Sequence, residues 1–173
     1  MGKRSSFERN KMDLYSTPMA AVQPLLPHLG KALKYCEPCA GEGTLIRHLG
    51  SAGHKCVSAF DAGMGPFPRH DASFITEGDL RSAEIIITNP PWDRPVLHQI
   101  IERCALLRPT WLLFDADWCH TKQSSPYLEV CHTIVSIGRV KWIADSKMSG
   151  KDNCCWYLFD ANVKPAQIQF IGR

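Results

Sequence analysis

The chain has 173 residues, 45% of them hydrophobic and 21% charged, with a formal net charge of +3. That length buries a substantial core, and that balance excludes a disordered or fibrous protein while permitting, without specifying, a nucleic-acid partner. No apolar run approaches the roughly 18–20 residues of a membrane span and no signal-peptide pattern is visible, so the eight cysteines are expected as reduced thiols of a cytoplasmic protein.

MGKRSSFERNK opens the chain as a basic arm over 1–12, ahead of one expected domain over 13–173 with no repeat, linker or separate recognition unit. Pro18 starts a short predicted helix through Leu29, broken at Pro24 and Pro27. LKYCEP (33–38) reads as the first strand and ends in the turn AGEG (40–43). Thr44–Ala52 has helical spacing, with Leu45, Leu49 and Ala52 on one face, and Gly53 closes it. KCVSAFD (55–61) is the second strand. Residues 62–82 are turn-rich, with a short strand expected near Ser73–Ile75.

Residues 84–88 (EIIIT) read as a strand buried on both faces, cut off by NPPW. Val96–Leu107 is an amphipathic helix, and TWLLFD (110–115) is another strand. Thr133–Ile143 and Asn153–Asp160 are the last strand candidates, joined by ADSKMSGKD (144–152). Strand–helix alternation through residue 115 predicts an α/β, Rossmann-like fold: a mostly parallel sheet with helices on both faces and an antiparallel C-terminal edge. Cys36 and Cys39 alone have CxxC spacing, and no second pair or histidine motif joins them, so no metal site is expected. Cys36, Cys56, Cys154 and Cys155 fall in predicted strands, where small buried hydrophobes belong.

In such sheets ligands bind at the carboxyl ends of strands, near a topological switch point. EPCAGEG, Asp61 and NPPW all end strands on that rim. Gly41 and Gly43 permit close backbone approach to a ligand, though a GxG turn alone is equally a tight strand–helix connection. GEGTLI places Ile46 where a dinucleotide motif has its third glycine, and no Gly-Lys-Ser/Thr follows. A bound pyrophosphate is therefore disfavoured. Glu37 suits an ammonium group, and Asp61 suits ribose hydroxyls or, alternatively, an Asx-turn beside Gly63. A ribose, an amino group and no pyrophosphate describe S-adenosylmethionine. In NPPW, the Asn89 side-chain oxygen and the Pro90 carbonyl form two acceptors for an exocyclic amine. Pro90 and Pro91 stiffen them, and Trp92 offers a stacking face for an extruded base. The bland alternative is a stiff strand end with a rim tryptophan.

These motifs resemble those of Rossmann-like, S-adenosylmethionine-dependent amino-methyltransferases, most closely the short phage and prophage DNA N6-adenine enzymes without a separate recognition domain. The resemblance runs from about Phe7 to Asp160. It implies a catalytic motif at Asn89, Pro90, Pro91 and Trp92, and a methionine-binding loop of Glu37, Pro38, Cys39, Ala40, Gly41 and Gly43. DLYSTP (13–18) resembles the motif that closes over the methionine moiety, which implicates Tyr15, Thr17 and Pro18. Asp61 matches the acidic ribose ligand, and Asp79 in EGDL matches the residue that contacts the cofactor's adenine.

The resemblance further implies S-adenosylmethionine as cofactor, no metal, and DNA adenine N6 as methyl acceptor. RNA adenine and protein glutamine stay open, because asparagine at the first motif position is shared by enzymes acting on all three. Specificity then falls to DWCHTKQSSP (117–126) and ADSKMSGKD (144–152). There Lys122, Lys147 and Lys151 either meet phosphates or are simply solvated. Asp117 and Trp118 either touch substrate or cap a helix. The competing classes are a non-catalytic binding module of the same fold and a nucleotide-dependent oxidoreductase, the latter disfavoured by the absent third glycine.

Overall fold

The computed structural model describes residues 16–63, 65–143, 150 and 152–173. The basic arm, Tyr15, Lys147 and Lys151 lie outside the described residues. Seven strands form one sheet: β1 (Lys34–Glu37), β2 (Lys55–Ala59), β3 (Ile85–Thr88), β4 (Thr110–Asp115), β5 (Cys131–Arg139), β6 (Asn153–Phe159) and β7 (Gln169–Ile171). Their spatial order is β2-β1-β3-β4-β6-β5-β7. The first four are mutually parallel, and β6 runs antiparallel to both β4 and β5. The predicted architecture is thus the one observed.

Period-two alternation divides the core. Leu112 and Phe114 of β4 face one side of the sheet, where they join Leu97, Ile100, Ile101 and Cys104 of helix α4 (Arg94–Leu107). Trp111 and Leu113 face the other side, with Val22 of α1 (Met19–Val22) and Leu45 and Leu49 of α2 (Thr44–Ser51). Trp156 Nε1 donates to Ala21 O at 2.7 Å and ties α1 to the sheet. The prolines do break the predicted 18–29 helix: α1 stops at Val22, and a separate 3₁₀ turn covers Leu26–His28.

Three expectations are corrected. The strand near Ser73–Ile75 is a 3₁₀ turn over Ala72–Phe74, where Asp71 Oδ1 accepts from Ser73 N at 2.8 Å. It leads into the one-turn helix α3 (Glu77–Leu80). NPPW therefore ends the third strand. The strand predicted over 133–143 runs from Cys131 to Arg139, and the short β7, not foreseen, pairs with it in parallel. Finally, Trp118 is fully buried and touches no open surface.

Trp118 follows β4 in a 3₁₀ turn and stands edge-on to Phe114, with ring centroids 5.0 Å apart. Phe114 itself stacks on Tyr157 at 4.2 Å. The indole Nε1 donates to His98 Nε2 of α4 at 3.0 Å, which leaves the His98 proton on Nδ1. Trp118→Ala is expected to cost about 3–5 kcal/mol of stability through lost contacts and a cavity. A urea titration reading a lowered midpoint checks it; an unchanged midpoint would contradict the buried placement.

Candidate functional site

From β1 the chain goes to β2 on one side, then returns to β3 on the other. The switch point therefore lies between the carboxyl ends of β1 and β3, where the chain has to part. Glu37 ends β1 and Thr88 ends β3, and the Thr88 hydroxyl donates to Glu37 Oε1 across the gap. Glu37 is 1% exposed, and its second oxygen, Oε2, is buried with no hydrogen-bond partner. Burial pushes the carboxyl up to about 8, against the opposing hydrogen bonds from Thr88 and the Cys39 backbone. Burial likewise raises the Cys39 thiol well above its usual range, and its side chain lines the same cavity.

The turn after β1 is shaped by Gly41 (φ 49°) and Gly43 (φ 73°). Both dihedrals lie where a side chain is strained, and a Cβ on Gly43 would meet the Phe67 ring at 3.0 Å. Gly43 is also the N-cap of α2. Asp61, 8% exposed, holds this turn from the end of β2: Oδ2 accepts from Gly41 N at 2.8 Å, and Oδ1 accepts from Gly63 N at 2.7 Å. The Asx contact beside Gly63 thus coexists with a tether to the glycine turn. Each carboxylate oxygen retains a second lone pair for a ligand hydroxyl.

A single cavity is lined by Ser16, Thr17, Glu37, Cys39, Ala40, Gly41, Glu42, Thr44, Leu45, Asp61, Ala62, Asn89 and Pro91. It unites the acidic strand ends, the glycine turn and the first and third residues of NPPW. Asn89 Nδ2 donates to Thr17 Oγ1 at 3.2 Å. Trp92 Nε1 donates to Leu113 O at 3.2 Å and points at Asn89 Oδ1 at 3.4 Å. The Trp92 ring is braced edge-on by Trp142, with centroids 5.7 Å apart and an interplanar angle of 81°. Asp93 then caps α4, so the motif runs directly into a helix.

No protein-family model matches the chain, and no curated protein matches it in sequence. Solved structures do match. One, from Pyrococcus horikoshii and described as an RNA methyltransferase, superposes with a TM-score of 0.62 at 19% identity, covering 94% of this chain and 93% of that one. A type I restriction-modification methyltransferase subunit from Streptococcus thermophilus gives 0.61 at 9% identity, with 92% and 47% covered. A dimethyladenosine transferase from Plasmodium falciparum gives 0.55 at 12% identity, with 86% and 63% covered. The fold is that of the Rossmann-like methyltransferases. This chain spans about half the length of the type I modification subunits it resembles.

Within this methyltransferase fold, the cavity gathers eight of the residues singled out in the sequence: Thr17, Glu37, Cys39, Ala40, Gly41, Asp61, Asn89 and Pro91. Pro18, Pro38, Pro90 and Trp92 are their chain neighbours and do not line it, and Gly43 sits between the lining residues Glu42 and Thr44. Asp79 stands apart. Its carboxylate closes the capping box of α3, accepting from Thr76 N and Thr76 Oγ1 at 2.7 Å each, and meets His70 Nε2 at 3.3 Å. Those Thr76 bonds hold it below the usual carboxylate range. The motif Thr76-Glu-Gly-Asp79 carried that capping signature in sequence. Thr88 was overlooked, although a lone polar residue closing an all-apolar strand was a signal.

Asp61→Ala is expected to lower stability by about 1–3 kcal/mol, because it leaves two backbone amides without acceptors. Asp61→Asn, which keeps one acceptor oxygen, should lose less. Chemical denaturation of the two variants side by side tests the order.

Proposed function

We propose that this protein transfers the methyl group of S-adenosylmethionine to an exocyclic amino nitrogen, with adenine N6 in DNA as the acceptor. The observation that carries this reading is the cavity shared by Glu37, Asp61, Asn89 and Pro91. The orphaned Glu37 Oε2 needs a positive donor, and an amino-acid ammonium supplies one. Asp61 accepts from ribose hydroxyls with the lone pairs left over from Gly41 and Gly63. The absence of a third glycine suits a ligand without pyrophosphate.

When bound, the sulfonium supplies an activated methyl group. The chain's own part is placement. Asn89 Oδ1 and the Pro90 carbonyl accept the two amine hydrogens and direct the nitrogen lone pair at the methyl. Trp92 stacks on the base. No protein base is required, because the amine turns acidic as it gains the methyl and releases its proton afterwards. Site residues, cofactor and acceptor all form part of this proposal.

The second reading is RNA adenine. Its RNA part is favoured by the likeness to the Pyrococcus protein, whose description names RNA and whose length this chain nearly matches. Labelled methyl transfer to unmethylated DNA, to RNA and to protein, run in parallel, separates the acceptors. Label in DNA is expected, and its N6-methyladenine content should rise with it. Label confined to RNA would move the assignment to the second reading; label in protein alone would overturn both.

A further inference from the structure

Thr17 and Asn89 stand 72 residues apart in the chain, yet both line the cavity and their side chains are hydrogen-bonded at 3.2 Å. On the other flank of the same amide, Trp92 Nε1 points at Asn89 Oδ1 while donating to Leu113 O. An indole nitrogen donates only, an amide NH2 donates only, and a hydroxyl takes either role. Turning the Asn89 amide over would set its NH2 against the indole N–H. The indole thus keeps the amide oxygen on its side, and Thr17 receives the NH2. A hydroxyl that accepts from Asn89 still has its own hydrogen to give, and among the described residues no acceptor takes it. Thr17 is 4% exposed, so water offers that hydrogen little.

We propose that Thr17 is a positioning residue that locks the orientation of the Asn89 amide and tightens its grip when a ligand acceptor in the cavity takes the Thr17 hydroxyl hydrogen. Donation through the hydroxyl makes its oxygen a stronger acceptor, so a filled cavity and an ordered Asn89 reinforce one another. A filled cofactor cavity therefore favours the Asn89 orientation that holds the acceptor nitrogen productively. This inference rests on the methyl-transfer reading above.

The test compares the parent with Thr17→Val, which keeps the shape and loses the hydroxyl, and with Thr17→Ser, which keeps the hydroxyl. Solvent exchange of the Asn89 side-chain amide protons is read by NMR, with and without S-adenosylhomocysteine. Steady-state rates are read at saturating S-adenosylmethionine. In the parent and in Thr17→Ser, S-adenosylhomocysteine should slow that exchange. In Thr17→Val the slowing is lost, and kcat falls about tenfold while the cofactor KM shifts less than about threefold. A rise in KM alone, with kcat and exchange unchanged, would make Thr17 a simple cavity wall and overturn the proposal. Should Thr17→Val not fold, absence of slowing in the parent itself overturns it. Absence of methyl transfer by the parent to DNA, RNA and protein would instead defeat the functional reading, with the exchange data still deciding the Thr17–Asn89 coupling.

Discussion

Asn89→Ala is expected to cut methyl transfer by at least about a hundredfold while leaving S-adenosylmethionine affinity within about threefold of the parent. The side chain presents its oxygen beside the braced Trp92 ring, and its NH2 is spent on Thr17. Under the proposed mechanism, removing it deletes one of two acceptors for the target amine, while the Trp92 indole keeps its bond to Leu113 O. It leaves Glu37, Asp61 and the glycine turn, which line the same cavity, in place. Single-turnover rates with calorimetric cofactor titration separate the two effects. A loss of affinity as large as the loss of rate would mean that Asn89 merely lines the cofactor site.

Glu37→Gln is expected to abolish tight cofactor binding and, at the same time, to stabilise the free protein at alkaline pH. In the folded chain the Glu37 carboxyl is pushed up to about 8 by burial, against an ordinary value of 4.5. The folded state then holds a proton that the unfolded state has released. Stability conferred by the neutral acid is complete below about pH 4.5 and is lost as pH rises through about 8. Glutamine does not titrate. The melting temperature of the variant should therefore match the parent near the acid end of that window and exceed it increasingly toward the alkaline end. Cofactor uptake runs the other way. An ammonium partner favours the ionised carboxylate, so binding expels the proton, and parent affinity should weaken by one to two orders of magnitude from about pH 8 to about pH 6. Paired calorimetry in buffers of different ionisation enthalpy would register the released proton. A parent affinity that does not change with pH, or a variant that binds normally, would remove Glu37 from the ammonium site.

Much of the site was legible because its parts sit at strand ends. EPCAGEG and NPPW each break an apolar run with residues that make poor strand, and the breaks fall on one rim once the strands are parallel. Asp61 was legible for the same reason, as the acid just beyond β2. Asp79 stands off the cavity lining, with its carboxylate engaged by the two Thr76 bonds; in sequence, a carboxylate after a turn-rich stretch looks alike whether it faces a ligand or caps a one-turn helix. Trp118 meets neither of its two expectations, because it is fully buried. It follows a strand on the active rim, but the 3₁₀ turn points its ring back into the Phe114–Tyr157–Phe159 stack. Ser73–Ile75 and β7 failed for want of length, since three residues are too few for period-two alternation to register.

By itself, the sequence determined the order of the longer strands and helices, the parallel sheet with its antiparallel strands, and the chemical identity of the glycine turn and the NPPW corner. Those properties are local: a periodicity, a breaker or a capping residue acts within a few positions of itself. Only the tertiary structure decided which strand ends face one another, and so that Glu37 receives the Thr88 hydroxyl yet keeps one oxygen orphaned in the cavity. It alone joined Thr17 to Asn89 and Trp142 to Trp92. Hydrogen bonds and ring contacts between distant segments depend on where the sheet order brings the chain back, and no local pattern of residues records that return.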